Sequence, residues 1–326
     1  MRVLLTDMLH PHANVEKSVL ESHGIKLDTT FSRNEDELII NAREADGLLV
    51  SSANINKRVI ENLEKTKVIV KYGIGVDNID IKTAEEKGIV VANVPNFCIE
   101  EVALHALSLM LMATRCIHTS SSFVKNGIWQ RDPSIWQIHR FSEKSIGLMG
   151  FGKIARKLGR YLEPLIEGPV FFYDPYIPQK DTPDVDKYVR IVSLEEFFTR
   201  CSIISIHLPL TKETYHLINK NILNFARGVI LINTSRAQVI EKKALVEALK
   251  KGNVSFFGSD VFWSEPPDFQ NMNDRLFIED LKTVITPHYA WYSEESEIDV
   301  RRKAAEEVLR VLLGKEPLNR IKSKKE

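Results

Sequence analysis

A thirty-residue stretch from Ser145 to Asp174, SIGLMGFGKIARKLGRYLEPLIEGPVFFYD, constrains the chain most, because it reads as strand, tight turn, helix, strand and acid. Ile146 and Leu148 lie in a short apolar run that suits a buried parallel strand. Gly150-Phe151-Gly152-Lys153-Ile154-Ala155 then makes a G-x-G-x-x-A turn into a helix. Ile154, Leu158, Leu162 and Leu165 recur at three- and four-residue spacing, which gives that helix one buried face. Pro164, Gly168 and Pro169 mark its end, and Val170 to Tyr173 reads as the next strand.

Such a turn aims unpaired N–H groups and the positive end of a helix at one point, and so favours an anion. Gly150 permits the tight turn, Gly152 lets a pyrophosphate approach the backbone, and Ala155 lets helix and strand pack closely. Asp174 falls 19 residues beyond Ala155, where a carboxylate accepts hydrogen bonds from the adenosine ribose hydroxyls. The same carboxylate repels a 2′-phosphate, and Pro175-Tyr176 follow it without a compensating Arg, so NAD is expected over NADP. The bland alternative is a glycine-rich turn in another kind of α/β protein; the β-α-β pattern and the placed acid argue against it.

With 326 residues, 44% of them apolar, the chain has room for two domains. Forty-four basic and 44 acidic side chains cancel, which gives no reason to expect nucleic acid or an anionic membrane as partner. Only Val3 to Leu5 precede Asp7 as an apolar run, too little for a signal peptide, and Val102 to Ala113 is too short to span a bilayer. Cys98, Cys116 and Cys201 are widely spaced, as reduced thiols of a cytoplasmic protein would be, and suggest neither a disulfide framework nor a metal site.

Strands and helices alternate on both sides of the glycine turn. Before it, strands are expected at 1–6, 26–29, 47–50, 68–70 and 90–93, with helices near 15–23, 34–43, 59–63 and 81–86. After it, strands are expected at 203–207, 229–233, 256–260 and 283–286, with helices near 194–200, 220–226 and 242–251. A long helix from Ile99 to Thr114 is expected to cross between domains. A last helix from Ser293 to Leu313, with Ile298, Ala305, Val308, Leu309 and Leu312 as its stripe, is expected to return to the first domain. The polar segment from His118 to Ser142 has no clean period and reads as a loop-rich arm; its Trp129 and Trp136 either make a subunit contact or tuck into their own domain.

Three ionisable residues follow strands of the second domain: Arg236 after ILINTS, Glu265 after GSDVF and His288 after TVITP. Strand ends put them on the rim that carries the glycine turn, where ligands of parallel sheets gather. A histidine exchanges protons near neutral pH, a neighbouring carboxylate stabilises its imidazolium, and an Arg grips a carboxylate and polarises an adjacent carbonyl. Taken singly, the three also fit a surface ion pair, a loop acid and a capping histidine. Lys71-Tyr72-Gly73-Ile74-Gly75 is a second glycine loop at a strand end.

The ordered motifs GFGKIA with Asp174, INTSRA, SDVFWSEPP, ITPHYAW and KYGIGVDNID resemble the D-isomer-specific 2-hydroxyacid dehydrogenases over nearly the whole chain. The resemblance implies two doubly wound parallel-sheet α/β domains. A Rossmann NAD-binding domain at 98–287 would be inserted into a flavodoxin-like substrate domain at 1–97 and 288–326. It also implies a homodimer with 118–142 as dimerisation arm, and it maps the catalytic trio onto Arg236, Glu265 and His288. NAD contacts are implied at Gly150, Phe151, Gly152, Lys153, Ile154 and Asp174, and further along at His207, Pro209, Thr214, Thr234, Ser235 and Asp260. Substrate contacts are implied at Lys71, at the Gly73-Ile74-Gly75 amides for the carboxylate, and at Trp291, which either lines the pocket or packs the hinge.

VDNIDIK, Asn93-Val94-Pro95 and PHYAWYSEES most resemble the branch of the family that contains the C-terminal-binding proteins, which are corepressors. There are departures. Lys71 stands where corepressor-like members have Arg, Ser51 where phosphoglycerate dehydrogenases have a phosphate-binding Arg, Ala237 for a usual Gly, and Leu104 for a usual acid. The expected activity is hydride transfer between NADH and C2 of a small 2-oxo acid, with His288 as acid and base. Two readings stay open beside it: an NAD(H)-responsive corepressor-like scaffold, and D-3-phosphoglycerate dehydrogenase with Lys71 or Arg131 holding the phosphate.

Overall fold

The computed structural model describes residues 1–7, 12–30, 34–129, 138–177 and 187–323; Arg131 and Trp136 lie outside them. The chain divides into two compact units, Met1–Cys98 with Tyr292–Glu326, and Ile99–Trp291.

In the first unit, β1 (Arg2–Leu5), β2 (Lys26–Thr29), β3 (Gly47–Val50), β4 (Val68–Lys71) and β5 (Val90–Ala92) alternate with α1 (Asn14–Leu20), α2 (Glu35–Ala42), α3 (Lys57–Glu61) and α4 (Ile81–Glu86). These strands run parallel in the order β2-β1-β3-β4-β5, the flavodoxin order. All four residues of β3, GLLV, are buried, as a parallel strand covered on both faces requires. The sequence pattern reports the two-sided burial as an unbroken apolar run.

One cover of this sheet comes from the far end of the chain. The helix α12 (Glu294–Leu312) packs on β3, β4 and α1, and β13 (Arg320–Ile321) adds an antiparallel edge to β5. Ser293 caps α12 and exchanges hydrogen bonds with Ser296. Ala304, Ala305 and Val308 are fully buried, whereas Ile298, expected on the same stripe, is exposed. Beneath α12 lies an ionic network. Arg301 grips Glu16 with Nε and Nη2 at 2.9 and 2.8 Å and reaches Glu297 at 2.9 Å, and the Tyr72 hydroxyl donates to Glu16 at 3.0 Å.

The second unit holds a seven-stranded parallel sheet. It opens with α5 (Ile99–Thr114) and α6 (Ile117–Lys125), followed by β6 (Ile146–Met149), α7 (Lys153–Leu162), β7 (Val170–Tyr173) and β8 (Tyr188–Arg190). Next come α8 (Leu194–Arg200), β9 (Ile203–Ile206), α9 (Lys220–Leu223), β10 (Val229–Asn233) and α10 (Lys242–Lys251). The unit ends with β11 (Val254–Ser259), α11 (Met272–Glu279) and β12 (Thr283–Ile285). The order β12-β11-β10-β9-β6-β7-β8 is that of a Rossmann sheet, with its reversal between β6 and β9. One face carries a core of Ala106, Leu109, Leu148, Ala155, Leu158 and Phe172; the other carries Phe197, Ile204, Leu231, Leu245 and Phe257.

Some expectations change. The helix α5 lies wholly in the second unit instead of crossing between domains, and it packs on α7, β10 and β11. Residues 117–125, expected as loop, are helical in α6, none of whose residues is buried. His288 and Trp291 belong to the second unit. Among the described residues, no single helix is long and apolar enough to cross a membrane, and no cluster of His, Cys, Asp or Glu is arranged to hold a metal ion.

Candidate active site

The reversal in strand order opens a crevice at the C-terminal ends of β6 and β9, and the glycine turn sits there. Gly150 has φ of 86° and donates its N–H to the Tyr173 carbonyl at 2.8 Å. A Cβ on it would lie 2.7 Å from the His207 carbonyl oxygen, so the fold itself demands glycine. Gly152 differs. Its φ is −74°, open to any residue, and a Cβ there would meet nothing within 4 Å. Nothing in the described chain needs that space, and no side chain caps the first turn of α7. A phosphate approaching the helix N-terminus does need it. Lys153 and Ile154 begin the helix, exposed and half-buried respectively.

Phe151 contributes its backbone, because its ring is fully buried and stacks on Phe172 at 4.2 Å. The Phe151 N–H donates to Asp174 Oδ2 at 2.9 Å, and the Tyr176 N–H donates to Oδ1 at 2.9 Å. Each carboxylate oxygen keeps acceptor capacity for a ribose hydroxyl. Arg190, unforeseen in the sequence, bonds the Asp174 carbonyl with Nε at 3.2 Å. The parallel pairing of β7 with β8 sets Arg190 opposite Phe172 and so brings it there.

Two orphaned polar atoms stand at the neighbouring strand ends. His207 Nε2, just after β9, and Thr234 Oγ1, just after β10, are buried and have no hydrogen-bond partner among the described residues. Burial pushes the His207 imidazole down to about 4. Buried polar atoms rarely go unmatched, and together with the open space at Gly152 these two fit a polar dinucleotide lying across the crevice. Pro209 and Thr214 form the next turn, where Thr214 Oγ1 donates to the Pro209 carbonyl at 2.6 Å. The buried Asn233 shapes the INTSRA turn: Oδ1 accepts from the Ser235 N–H at 2.9 Å and Nδ2 donates to the Arg236 carbonyl at 3.0 Å. Ala237, the departure from Gly, is buried there.

His288 and Glu265 meet. His288 Nδ1 lies 2.6 Å from Glu265 Oε2, and Glu265 Oε1 accepts from the Phe262 N–H at 3.0 Å. Burial pushes the Glu265 carboxyl up, but the His288 and Phe262 hydrogen bonds, with the charges of His288 and Arg236, outweigh it and hold its pKa below the ordinary value. Arg236 therefore belongs to the same electrostatic cluster. Both members of the pair keep solvent access, with side chains 42% and 39% exposed.

The backbone of His288 is unusual. Its φ is 57°, in the left-handed region seldom entered by a residue with a Cβ, and its N–H bonds the Thr286 carbonyl at 3.0 Å. Asp260 holds that turn. Its carboxylate, on a residue only 2% exposed, accepts from the Tyr289 and Ala290 N–H groups at 2.9 and 2.7 Å and from the Thr286 hydroxyl at 2.5 Å. It thus clamps the chain on both sides of His288, a task that the expectation of an NAD contact did not include. The Trp291 indole N–H donates to the His288 carbonyl at 3.0 Å, which braces the turn from a third side.

The glycine loop after β4 belongs to the first unit. Val94 N–H donates to the Gly73 carbonyl at 3.1 Å and Asn93 Nδ2 to the Ile74 carbonyl at 2.7 Å, which fixes the loop through its carbonyls. Lys71 Nζ donates to the Ser51 carbonyl, and the Ser51 N–H donates to Asp7 at 2.9 Å.

A Rossmann sheet, an uncapped helix N-terminus over open space, an acid at the end of β7 and a histidine–carboxylate pair beside an arginine have the make-up of a dinucleotide site with an acid–base pair on its rim. Residues 107–290 match the family described as D-isomer specific 2-hydroxyacid dehydrogenase, NAD binding domain, and the chain belongs to that family. It is 34% identical over 281 residues to the hydroxypyruvate reductase of Thermotoga maritima, covering 85% of this chain and 88% of that one. It is 33% identical over 316 residues to the D-3-phosphoglycerate dehydrogenase of Methanocaldococcus jannaschii, covering 96% of this chain and 58% of that one. The chain therefore spans little more than half the length of that relative. The structure of the D-lactate dehydrogenase of Aquifex aeolicus, complexed with NAD and lactic acid, superimposes with a TM-score of 0.87 and 25% identity, covering 99% of this chain and all of that one. By the matched family description, the second unit is an NAD-binding domain.

Proposed function

We propose that this chain is an NAD-dependent D-2-hydroxyacid dehydrogenase that reduces a small 2-oxo acid. The observation that carries the reading is the 2.6 Å contact between His288 Nδ1 and Glu265 Oε2 at the strand-end rim, with the charge of Arg236 acting on the same carboxylate. Glu265 holds the Nδ1 proton and stabilises the imidazolium, which leaves the Nε2 proton to pass to the substrate oxygen. Arg236 grips the substrate carboxylate and polarises the carbonyl. Bound NADH supplies the hydride. Gly150 to Ile154 and Asp174 hold the cofactor, with His207, Pro209, Thr214, Thr234 and Ser235 along the strand ends. Asp174 favours NAD over NADP, since its carboxylate repels a 2′-phosphate. Lys71 and the Gly73-Ile74-Gly75 amides are read as an anion site, and Trp291 as a determinant of side-chain preference.

A homodimer is part of the same reading, supported by the exposed Ile117, Val124, Ile128 and Trp129 in and after α6, and sedimentation tests it. Phosphoglycerate dehydrogenase is the second reading, favoured by the Methanocaldococcus jannaschii relative. The deciding experiment is NADH oxidation with glyoxylate, hydroxypyruvate, pyruvate, 4-methylthio-2-oxobutyrate and 3-phosphohydroxypyruvate, with NADPH as control. Efficient turnover of one of them, lost in His288→Ala, is expected. A His288→Ala protein as active as its parent refutes the reading, a preference for the phosphorylated acid favours the second, and tight NADH binding without turnover points to an NAD-responsive scaffold.

A further inference from the structure

The left-handed backbone of His288 needs an external hold, because a residue with a Cβ does not keep φ of 57° unless its surroundings impose it. Asp260 supplies that hold through three hydrogen bonds, and one of the three depends on another residue. The Thr286 hydroxyl has a single proton, and at 2.5 Å from Asp260 Oδ1 it gives that proton to the carboxylate. Its oxygen is then left to accept, and His105 Nε2, from the middle of α5, lies 3.0 Å from it. The direction of the second bond follows from the first: His105 carries its proton on Nε2 and donates it to Thr286.

The same imidazole nitrogen stands 3.9 Å from Asp260 Oδ1, so the donor also faces the buried charge. His105 is neither deeply buried nor exposed, with a side chain 26% accessible. One side of its helix, through Ala106, Leu109 and Met110, is packed into the core of the second unit, which fixes where the ring stands. A rigid helix, an imidazole donor, a threonine hydroxyl and a buried carboxylate thus run in sequence to the two N–H groups that follow His288.

We infer that His105 is a positioning residue for His288: by donating to Thr286 it sets the Thr286 hydroxyl toward Asp260 and completes the frame that fixes the turn on which His288 stands. The inference rests on reading His288 as the acid and base. Without the His105 donor, the Thr286 hydroxyl is free to turn to the Ser259 carbonyl, 3.5 Å away, and Asp260 loses one of its three partners. The turn then loosens, and with it the direction of the Nδ1 bond to Glu265 and the aim of Nε2.

The test compares His105→Leu, His105→Gln and Thr286→Val in the full chain. His105→Leu and Thr286→Val are expected to lower kcat on the order of 10- to 100-fold, as small misplacements of a reacting group do, with NADH affinity unchanged. Gln can place a donor NH2 near the imidazole position and is expected to restore most of kcat. A readout independent of turnover is the far-downfield proton resonance of the His288 Nδ1 bond to Glu265, assigned by its absence in His288→Ala. It is expected to shift or broaden in His105→Leu and Thr286→Val and to return in His105→Gln. Full activity and an unmoved resonance in a folded His105→Leu protein overturn the inference. So does a His105→Gln protein as impaired as His105→Leu, which would mark the ring as mere packing. Should the wild type reduce none of the acids while the resonance still responds to His105, the positioning role stands and the dehydrogenase reading falls.

Discussion

Replacing Arg301 with Met tests the ionic network beneath α12. The Met side chain keeps much of the arginine stem's volume and removes only the guanidinium. Glu16 is 1% exposed and Glu297 is 8% exposed, so the substitution leaves two carboxylates out of water without their shared cation. Glu16 alone loses two charge-assisted hydrogen bonds, at 2.9 and 2.8 Å, and keeps the neutral Tyr72 hydroxyl. Removing one partner from a buried ion pair costs about 3–5 kcal/mol, a large part of the roughly 5–15 kcal/mol that holds a domain together. At a urea slope of about 1–3 kcal/mol per molar, the unfolding midpoint of the first unit should fall by roughly 1–5 M. Trp129, Trp263 and Trp291, the tryptophans among the described residues, belong to the second unit. Tryptophan fluorescence should therefore hold its midpoint while far-UV circular dichroism gains an early transition. Adding Glu16→Gln removes one stranded charge and should recover much of the loss. A shift below about 0.3 M in the single variant, or no recovery in the double, would refute the assignment of this network as a coupled ionic buttress.

Three further outcomes are expected. Unfolded histidine takes up a proton near pH 6.5, whereas folded His207 holds out to about 4. The unfolded state therefore binds more protons in that window, and stability should fall by up to about 3 kcal/mol as pH drops through it; His207→Asn should flatten that slope, and an equally steep decline would reject the burial argument. Gly152→Ser should hold or slightly raise the melting temperature, because Ser caps a helix at least as well as Gly, and yet weaken NADH binding measured by fluorescence; equal affinity would mean that no ligand uses the space. Glu265→Gln keeps the side-chain shape without the charge and should lower kcat/KM on the order of 100-fold at unchanged NADH affinity; a wild-type rate would remove Glu265 from the mechanism.

Much of the fold was legible because its parallel strands are short apolar runs, and the candidate site residues follow them closely. Arg236, Glu265 and His288 stood out for that reason, as did the turn at Gly150. The elements that escaped lack such a stripe. In α6 no residue is buried, and its Ser120 hydroxyl turns back to the Cys116 carbonyl. The polar start of α11 reads as loop, but Asn271 caps it and Asp274 pairs with Lys242. Strands β8 and β13, of three and two residues, are too short for any period to register. The clamp role of Asp260 was hidden for another reason: it bonds backbone N–H groups about 30 positions away, and backbone groups carry no residue code. Arg190 reaches Asp174 through strand pairing, which local sequence does not express.

The interrupted first unit has a consequence for synthesis. Its sheet leaves the ribosome with β1 to β5, but the helix that covers β3 and β4 follows only after every residue of the second unit has been made. Until then the face that will receive Ala304, Ala305 and Val308 stays uncovered, and Glu16 lacks its cation. The second unit is contiguous and can fold as soon as it emerges. The order of assembly is therefore the reverse of the order of translation for these two units: the sheet that precedes the second unit in the chain is completed after it.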